Sequence, residues 1–321
     1  MTSRRLGPIV GLLVSACAQS APEYDAGWSA GPSLPEPIQE LHAATLGGRV
    51  YVAGGIRGGN EVSERAYVLD PEAEGWRRVA DLPAPRHHMP LAVAADSLYA
   101  VGGFDASGMV PVATLWVYDE TADRWLDRAP LPEARGASGV GVVGGRIVLV
   151  GGVGSGNRLL DSIAIYEPAA GTWTRGAPIP TPRDHLAVAV VDGTLYAIGG
   201  RPLDPDRNFD RLERYDPATA RWTQLVPMPT ARGGLEAVAV GGRIHVFGGE
   251  TSSRVFSEHE VFDTRAGRWS TAPPLPTARH GLGAAVRGGQ IYVIAGGPRA
   301  GLAQTAIVET FIPNSDSLEH P

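Results

Sequence analysis

The chain has 321 residues, 34 of them acidic and 28 basic, and a formal charge of −6. All of the basic residues are arginine, and they form no block in this acidic body, which argues against a nucleic-acid partner. A single cysteine, Cys17, excludes an intramolecular disulfide.

The first 16 residues read as an export signal. Arg4 and Arg5 make a basic start, and Leu6 to Val14 form an apolar run too short to span a bilayer as a mature helix. Val14-Ser15-Ala16-Cys17 resembles the lipobox of bacterial lipoproteins. That resemblance implies acylation of Cys17 and a tether over 17–26, anchoring the chain in the cell envelope. Ala18 after the cysteine implies the outer membrane in a Gram-negative cell.

From there one unit recurs. Glycine doublets stand at Gly54, Gly102, Gly151, Gly199, Gly248 and Gly296, each with the following glycine. Tryptophans keep the same beat at Trp28, Trp76, Trp125, Trp173, Trp222 and Trp269. Two independent markers with one period predict a repeat architecture and a single closed domain over 27–312, with 313–321 as a tail. The fourth repeat shows the unit. An apolar strand over 186–191, an Asp192-Gly193 turn and a returning strand to Ile198 lead into the doublet. A polar loop over 201–211 precedes two further strands, 212–215 and 221–225. The equivalent turns are predicted at Gly47-Gly48, Asp96-Ser97, Gly144-Gly145, Gly241-Gly242 and Gly288-Gly289.

Four strands, the doublet after the second, and a spaced Tyr or Phe before each Trp (Tyr67, Tyr118, Tyr166, Tyr215, Phe262, Phe311) resemble the kelch repeat. The resemblance implies an all-β fold, a six-bladed kelch β-propeller with one blade per repeat. The last repeat lacks a Trp after Phe311, while Gly27-Trp28-Ser29 matches Gly75-Trp76-Arg77. The N-terminal strand should therefore complete the last blade. In that repeat Ala295-Gly296 can take the doublet position.

A Pro-x-x-Arg motif or a near variant precedes each first strand and gives Arg86, Arg135, Arg183, Arg232 and Arg279; Ile38 breaks the pattern. The kelch resemblance implies that this loop lies at the mouth of the central channel. Five arginines there suit carboxylate or phosphate. Glu40, His42, His87, His88, Asp184, His185, Glu236 and His280 follow these positions. Of these, His88, His185 and Glu236 join the arginines as expected ligand contacts. Glu236, inside an apolar run, is the candidate for acid–base chemistry. Adjacent histidines on a strand point to opposite faces, so His87-His88 predicts no metal site and no cofactor is expected.

The expected function is a lipid-anchored, non-catalytic binding module. It would be monomeric and would take a protein segment or an acidic glycan at an Arg-rich mouth. The alternative is a sugar-acid epimerase of the sialic-acid type, a chemistry known on kelch propellers.

Overall fold

A computed structural model describes residues 27–70, 72 and 75–313. The leader, the tether, Cys17 and most of the C-terminal tail lie outside them. The described residues form six four-stranded antiparallel sheets, the blades. The first strands of the blades are His42–Leu46, Leu91–Ala94, Gly139–Val143, Ala187–Val191, Gly233–Val240 and Gly283–Arg287. Each packs against the next, and the sixth packs against the first, so they enclose a central channel.

Blade 6 draws its outer strand from the start of the propeller. Trp28–Ala30 pairs with Val308–Phe311, with Trp28 opposite Phe311. This is the register of Tyr118 with Trp125 in blade 2 and of Tyr215 with Trp222 in blade 4. The Trp28 and Phe311 rings lie 5.0 Å apart, close to the 5.1 Å of those internal pairs. The chain ends therefore reproduce a blade's own packing across a gap in the covalent chain.

The apolar strand faces pack between neighbouring blades, giving one buried cluster at each of the six seams. Each of the six periodic tryptophans also donates its indole N–H across a seam. Trp76 reaches Pro32, Trp125 reaches Ala80, and Trp28 reaches Pro273 at 2.9 Å. The hairpin turns follow the residue types. Asp192 (φ 48°) and Gly193 (φ 73°) are both left-handed, as a type I′ turn requires. In blade 2 the turn residues are Ala95 and Asp96, one position earlier than the sequence predicts, and Ser97 opens the returning strand.

The arginines expected at the channel mouth lie elsewhere. Arg183, Arg232 and Arg279 are 0% exposed and Arg135 is 2% exposed; their guanidiniums sit inside the blades. Arg183 pairs with Glu213 at 2.5 Å, Arg232 with Glu260 at 3.0 Å and Arg279 with Glu309 at 3.0 Å. Each glutamate also accepts a threonine hydroxyl two residues before the arginine, from Thr181, Thr230 or Thr277. Arg135 uses the Ser162 carbonyl instead, and Arg86 lies over the Trp116 ring. The arginine carbonyls reach across the seam. The second glycine of each of the first five doublets donates to one of them, as Gly55 does to Arg86 and Gly200 to Arg232. A Cβ on the first glycine would stand 2.3–2.6 Å from the same carbonyl oxygens, which explains that glycine.

The break at Ile38 is compensated. Glu36 and Arg65 form a 2.7 Å pair in blade 1, with acid and base exchanged between loop and third strand. The seam still carries its backbone bond, from Gly296 N–H to the Ile38 carbonyl. Ala295 (φ 55°) and Gly296 (φ 98°) occupy the doublet position there.

Removing one partner of a buried ion pair strands the other charge. We therefore predict that Arg183→Met lowers stability by about 3–5 kcal/mol in denaturant unfolding. Arg183→Met combined with Glu213→Leu should recover most of that loss; additive losses would contradict the pairing.

A second buried pair makes the fold acid-sensitive. His259 donates through Nδ1 to the Pro273 carbonyl, and its Nε2 lies 2.9 Å from His245 Nδ1. Burial pushes His245 down to about 4 and His259 down to about 3. The unfolded chain protonates these rings first, at about 6.5. Their contribution is complete above that pH and is lost as pH falls toward the folded values. The melting temperature should drop between pH 7 and pH 5. A variant with His245→Val and His259→Val, which introduces side chains of the kind used at the equivalent positions Val148 and Val308, should show a smaller drop.

Candidate functional site at the neck of the channel

Two residues after each arginine position the chain reaches the channel axis. Glu40, His88, Ala137, His185, Gly234 and Gly281 all have φ between 49° and 69°. Each donates its backbone N–H to the carbonyl of its counterpart in the preceding blade. His88 bonds to Glu40, Ala137 to His88, His185 to Ala137, Gly234 to His185, Gly281 to Gly234 and Glu40 to Gly281, at 2.7–3.2 Å. Six bonds close a ring around the neck. Left-handed backbone costs roughly 1–2 kcal/mol for an ordinary side chain and little for glycine. Glu40, His88 and His185 hold it nonetheless, and such outliers point to function.

These side chains meet. His88 Nε2 lies 2.9 Å from Glu40 Oε2 and 3.0 Å from His185 Nε2. The small residues at the other ring positions make the space: a Cβ at Gly281 would stand 2.5 Å from the Glu40 carboxyl. The polar network then continues around the neck. Asp184 Oδ1 accepts His185 Nδ1–H at 2.6 Å and lies 3.5 Å from Arg201 Nε. Arg201 bonds to Glu250 at 3.1 Å. Glu250 lies 3.4 Å from His280 Nε2, which lies 3.6 Å from Glu40. Burial opposes the charge on Glu40, but His88, His280 and His185 together hold its carboxyl well below the usual carboxylate range. Burial, reinforced by Arg201 and opposed by Asp184, pushes His185 down. Burial and His88 push His87 down to about 4.

The site therefore unites His88 and His185 of the sequence-predicted set. Glu236 faces the same small cavity, about 30 Å³, where its carboxyl lies 3.3 Å from His42 Nδ1. The arginines take no part in its lining. His87 and His88 are not consecutive strand residues; the left-handed turn at His88 brings their Nδ1 atoms to 2.6 Å. The strand argument against a metal therefore does not apply to them. Sequence reasoning did not single out Arg201 and Glu250 as partners in one network. Both follow a glycine doublet, where blades 1, 2 and 3 carry Ile56, Phe104 and Val153. A charge at that position was the available signal.

The same network braces the loops above it. His87 Nε2–H donates to the Gly108 carbonyl at 3.0 Å, Asp184 accepts Leu203 N–H at 3.0 Å, and Glu250 accepts Gly301 N–H at 3.1 Å. These contacts belong to blades 2, 4 and 6. At or beside them stand exposed apolar side chains: Met109 (53%), Val110 (50%), Leu203 (39%) and Leu302 (61%). The strand order puts all of these loops at the neck end of the blades.

Comparison with known proteins agrees with this architecture. The family model for the KLHDC2/KLHL20/DRC7 Kelch-repeats domain matches residues 28–200 and 175–311. Kelch-like protein 35 of Homo sapiens is 32% identical over 42% of this chain and 22% of its own length. Beta-scruin of Limulus polyphemus is 30% identical over 39% of this chain and 14% of its own. The chain thus aligns with less than a quarter of either relative. The solved structure of YjhT superposes with a TM-score of 0.76 at 17% identity, covering 88% of this chain and 96% of that one. With the family model covering nearly every described residue and the blades in register around one channel, the chain belongs to the kelch-repeat family.

Proposed function

We propose that the chain is a binding propeller that takes a protein segment across the neck end of its channel. The observation that carries this reading is the placement of exposed apolar side chains. Four of the large ones, Met109, Val110, Leu203 and Leu302, stand on loops of alternate blades around a polar, braced centre. Exposed apolar groups beside a fixed polar pattern are what a partner segment uses. A protein segment is favoured over an acidic glycan because the ring arginines are buried. Arg201, the guanidinium in the neck network, already serves Asp184 and Glu250. Similarity to Kelch-like proteins, over 22% of the length of Kelch-like protein 35, supports a binding role.

Selection from a displayed random-peptide library tests the reading. The selected peptides should bind the propeller, and Met109→Ser, Leu203→Ser and Leu302→Ser together should weaken them at least tenfold at unchanged melting temperature. Tenfold is about 1.4 kcal/mol, the scale of one interface contact. Peptides indifferent to the triple variant, or no enrichment, would refute it.

The leader supports a further element of the proposal, anchoring through Cys17 in the cell envelope. In bacteria the chain should incorporate labelled palmitate and fractionate with membranes, and Cys17→Ser should abolish both. An unlabelled, non-membrane protein with Cys17 intact would remove the anchor from the account.

A further inference from the structure

The proton positions at the neck can be worked out from fixed acceptors. A carbonyl oxygen only accepts, so His87 Nε2, 3.0 Å from the Gly108 oxygen, carries a proton. Neutral His87 then has a lone pair on Nδ1. His88 Nδ1, at 2.6 Å, must donate to it. Neutral His88 therefore has its lone pair on Nε2. On the other side the Asp184 carboxylate accepts at 2.6 Å, so the His185 proton is on Nδ1 and its lone pair is also on Nε2. In this all-neutral arrangement the two Nε2 atoms face one another at 3.0 Å with no proton between them, and Glu40 Oε2 stands 2.9 Å from one of them.

Three electron-pair donors that converge in a buried site repel one another unless a cation lies among them. The charge around them points the same way. Glu40, Asp184 and Glu250 are opposed by Arg201, leaving two negative charges over when His280, between Glu40 and Glu250, is neutral. A dication balances that charge and engages all three donors; one proton, shared from His88 Nε2, leaves a negative charge over. Two of the three separations also fit. Donors about 2.0–2.1 Å from a zinc-class ion lie about 2.9–3.3 Å apart at bond angles between square and tetrahedral. His88 Nε2 is 2.9 Å from Glu40 and 3.0 Å from His185, inside that range; Glu40 and His185 lie farther from one another, within 4.8 Å, so binding draws those two side chains in toward the ion. Each imidazole is oriented from behind, His185 by Asp184 and His88 by His87, as metal-bound histidines are.

We propose that Glu40, His88 and His185 bind a divalent transition-metal ion of the zinc class at the neck of the channel. Two histidines and one carboxylate leave further coordination positions on the ion. The ion would tie blades 1, 2 and 4 together on the axis. The inference is independent of the peptide-binding reading.

The test uses the whole propeller, stripped with a chelator and dialysed against Zn²⁺, with bound metal measured by elemental analysis and affinity by chelator competition. One ion should bind per chain and raise the melting temperature. His88→Ala and His185→Ala each place at the ring the residue that blade 3 already carries as Ala137, so both should fold; each should lower affinity by roughly a hundredfold or more. Asp184→Asn keeps all three ligands but removes the acceptor that fixes the His185 tautomer, and should lower affinity about ten- to a hundredfold. His42→Ala, in the same cavity but outside the donor set, should bind as the parent does. Failure of the parent chain to retain zinc would overturn the proposal. So would uptake that persists in folded His88→Ala and His185→Ala.

Discussion

Six backbone hydrogen bonds around the channel neck constrain the rest of the molecule. Each joins a left-handed residue to its counterpart one blade away, so every blade contributes one donor and one acceptor to a closed circle. The left-handed turn lets the chain come in along one blade, touch the axis and leave down the first strand. It also decides which side chains reach the axis. Where there is no polar partner the sequence has Gly234, Gly281 or Ala137; where side chains meet it has Glu40, His88 and His185. The functional cluster is thus a consequence of the closure geometry, and its backbone strain is borne by bonds that also hold the ring shut.

Outside the neck, the blades are joined by polar contacts of two further kinds. The doublet N–H groups reach the carbonyls that follow the inter-blade prolines, and the indole N–H groups reach carbonyls after the fourth strands. Between them lie the apolar clusters, one to a seam. The buried arginines serve this scaffold by fixing the loop that supplies the carbonyl. Blade 1 achieves the same with Glu36 and Arg65 exchanged, so the break at Ile38 changes the chemistry of the support and leaves the seam bond in place. That seam is also where Ala295 stands in for a doublet glycine.

The fold was legible because its markers are periodic and redundant. Trp28 matching Trp76 was enough to place the N-terminal strand, since the Trp28–Phe311 contact repeats an internal one. The site was legible only in part. Periodicity located the loop that reaches the axis but could not say which way its residues face. The arginines recur because they are structural, and their depth depends on Glu213, Glu260 and Glu309, each two residues before an aromatic in a third strand. Those glutamates in apolar strands were a readable sign of buried partners. The meeting of Glu40, His88 and His185 was not readable in the same way. It depends on residues 48 and 97 positions apart turning left-handed at one height, a tertiary outcome that no local pattern encodes.

Native-state amide exchange at Glu40, His88, Ala137, His185, Gly234 and Gly281 tests the account most directly. If the neck ring closes the propeller, these six amides exchange only through global unfolding, with protection equal to the most stable strand amides. If they exchange through local opening, at rates like those of the loop amides over 104–113, the ring is not what holds the blades and the neck cluster together.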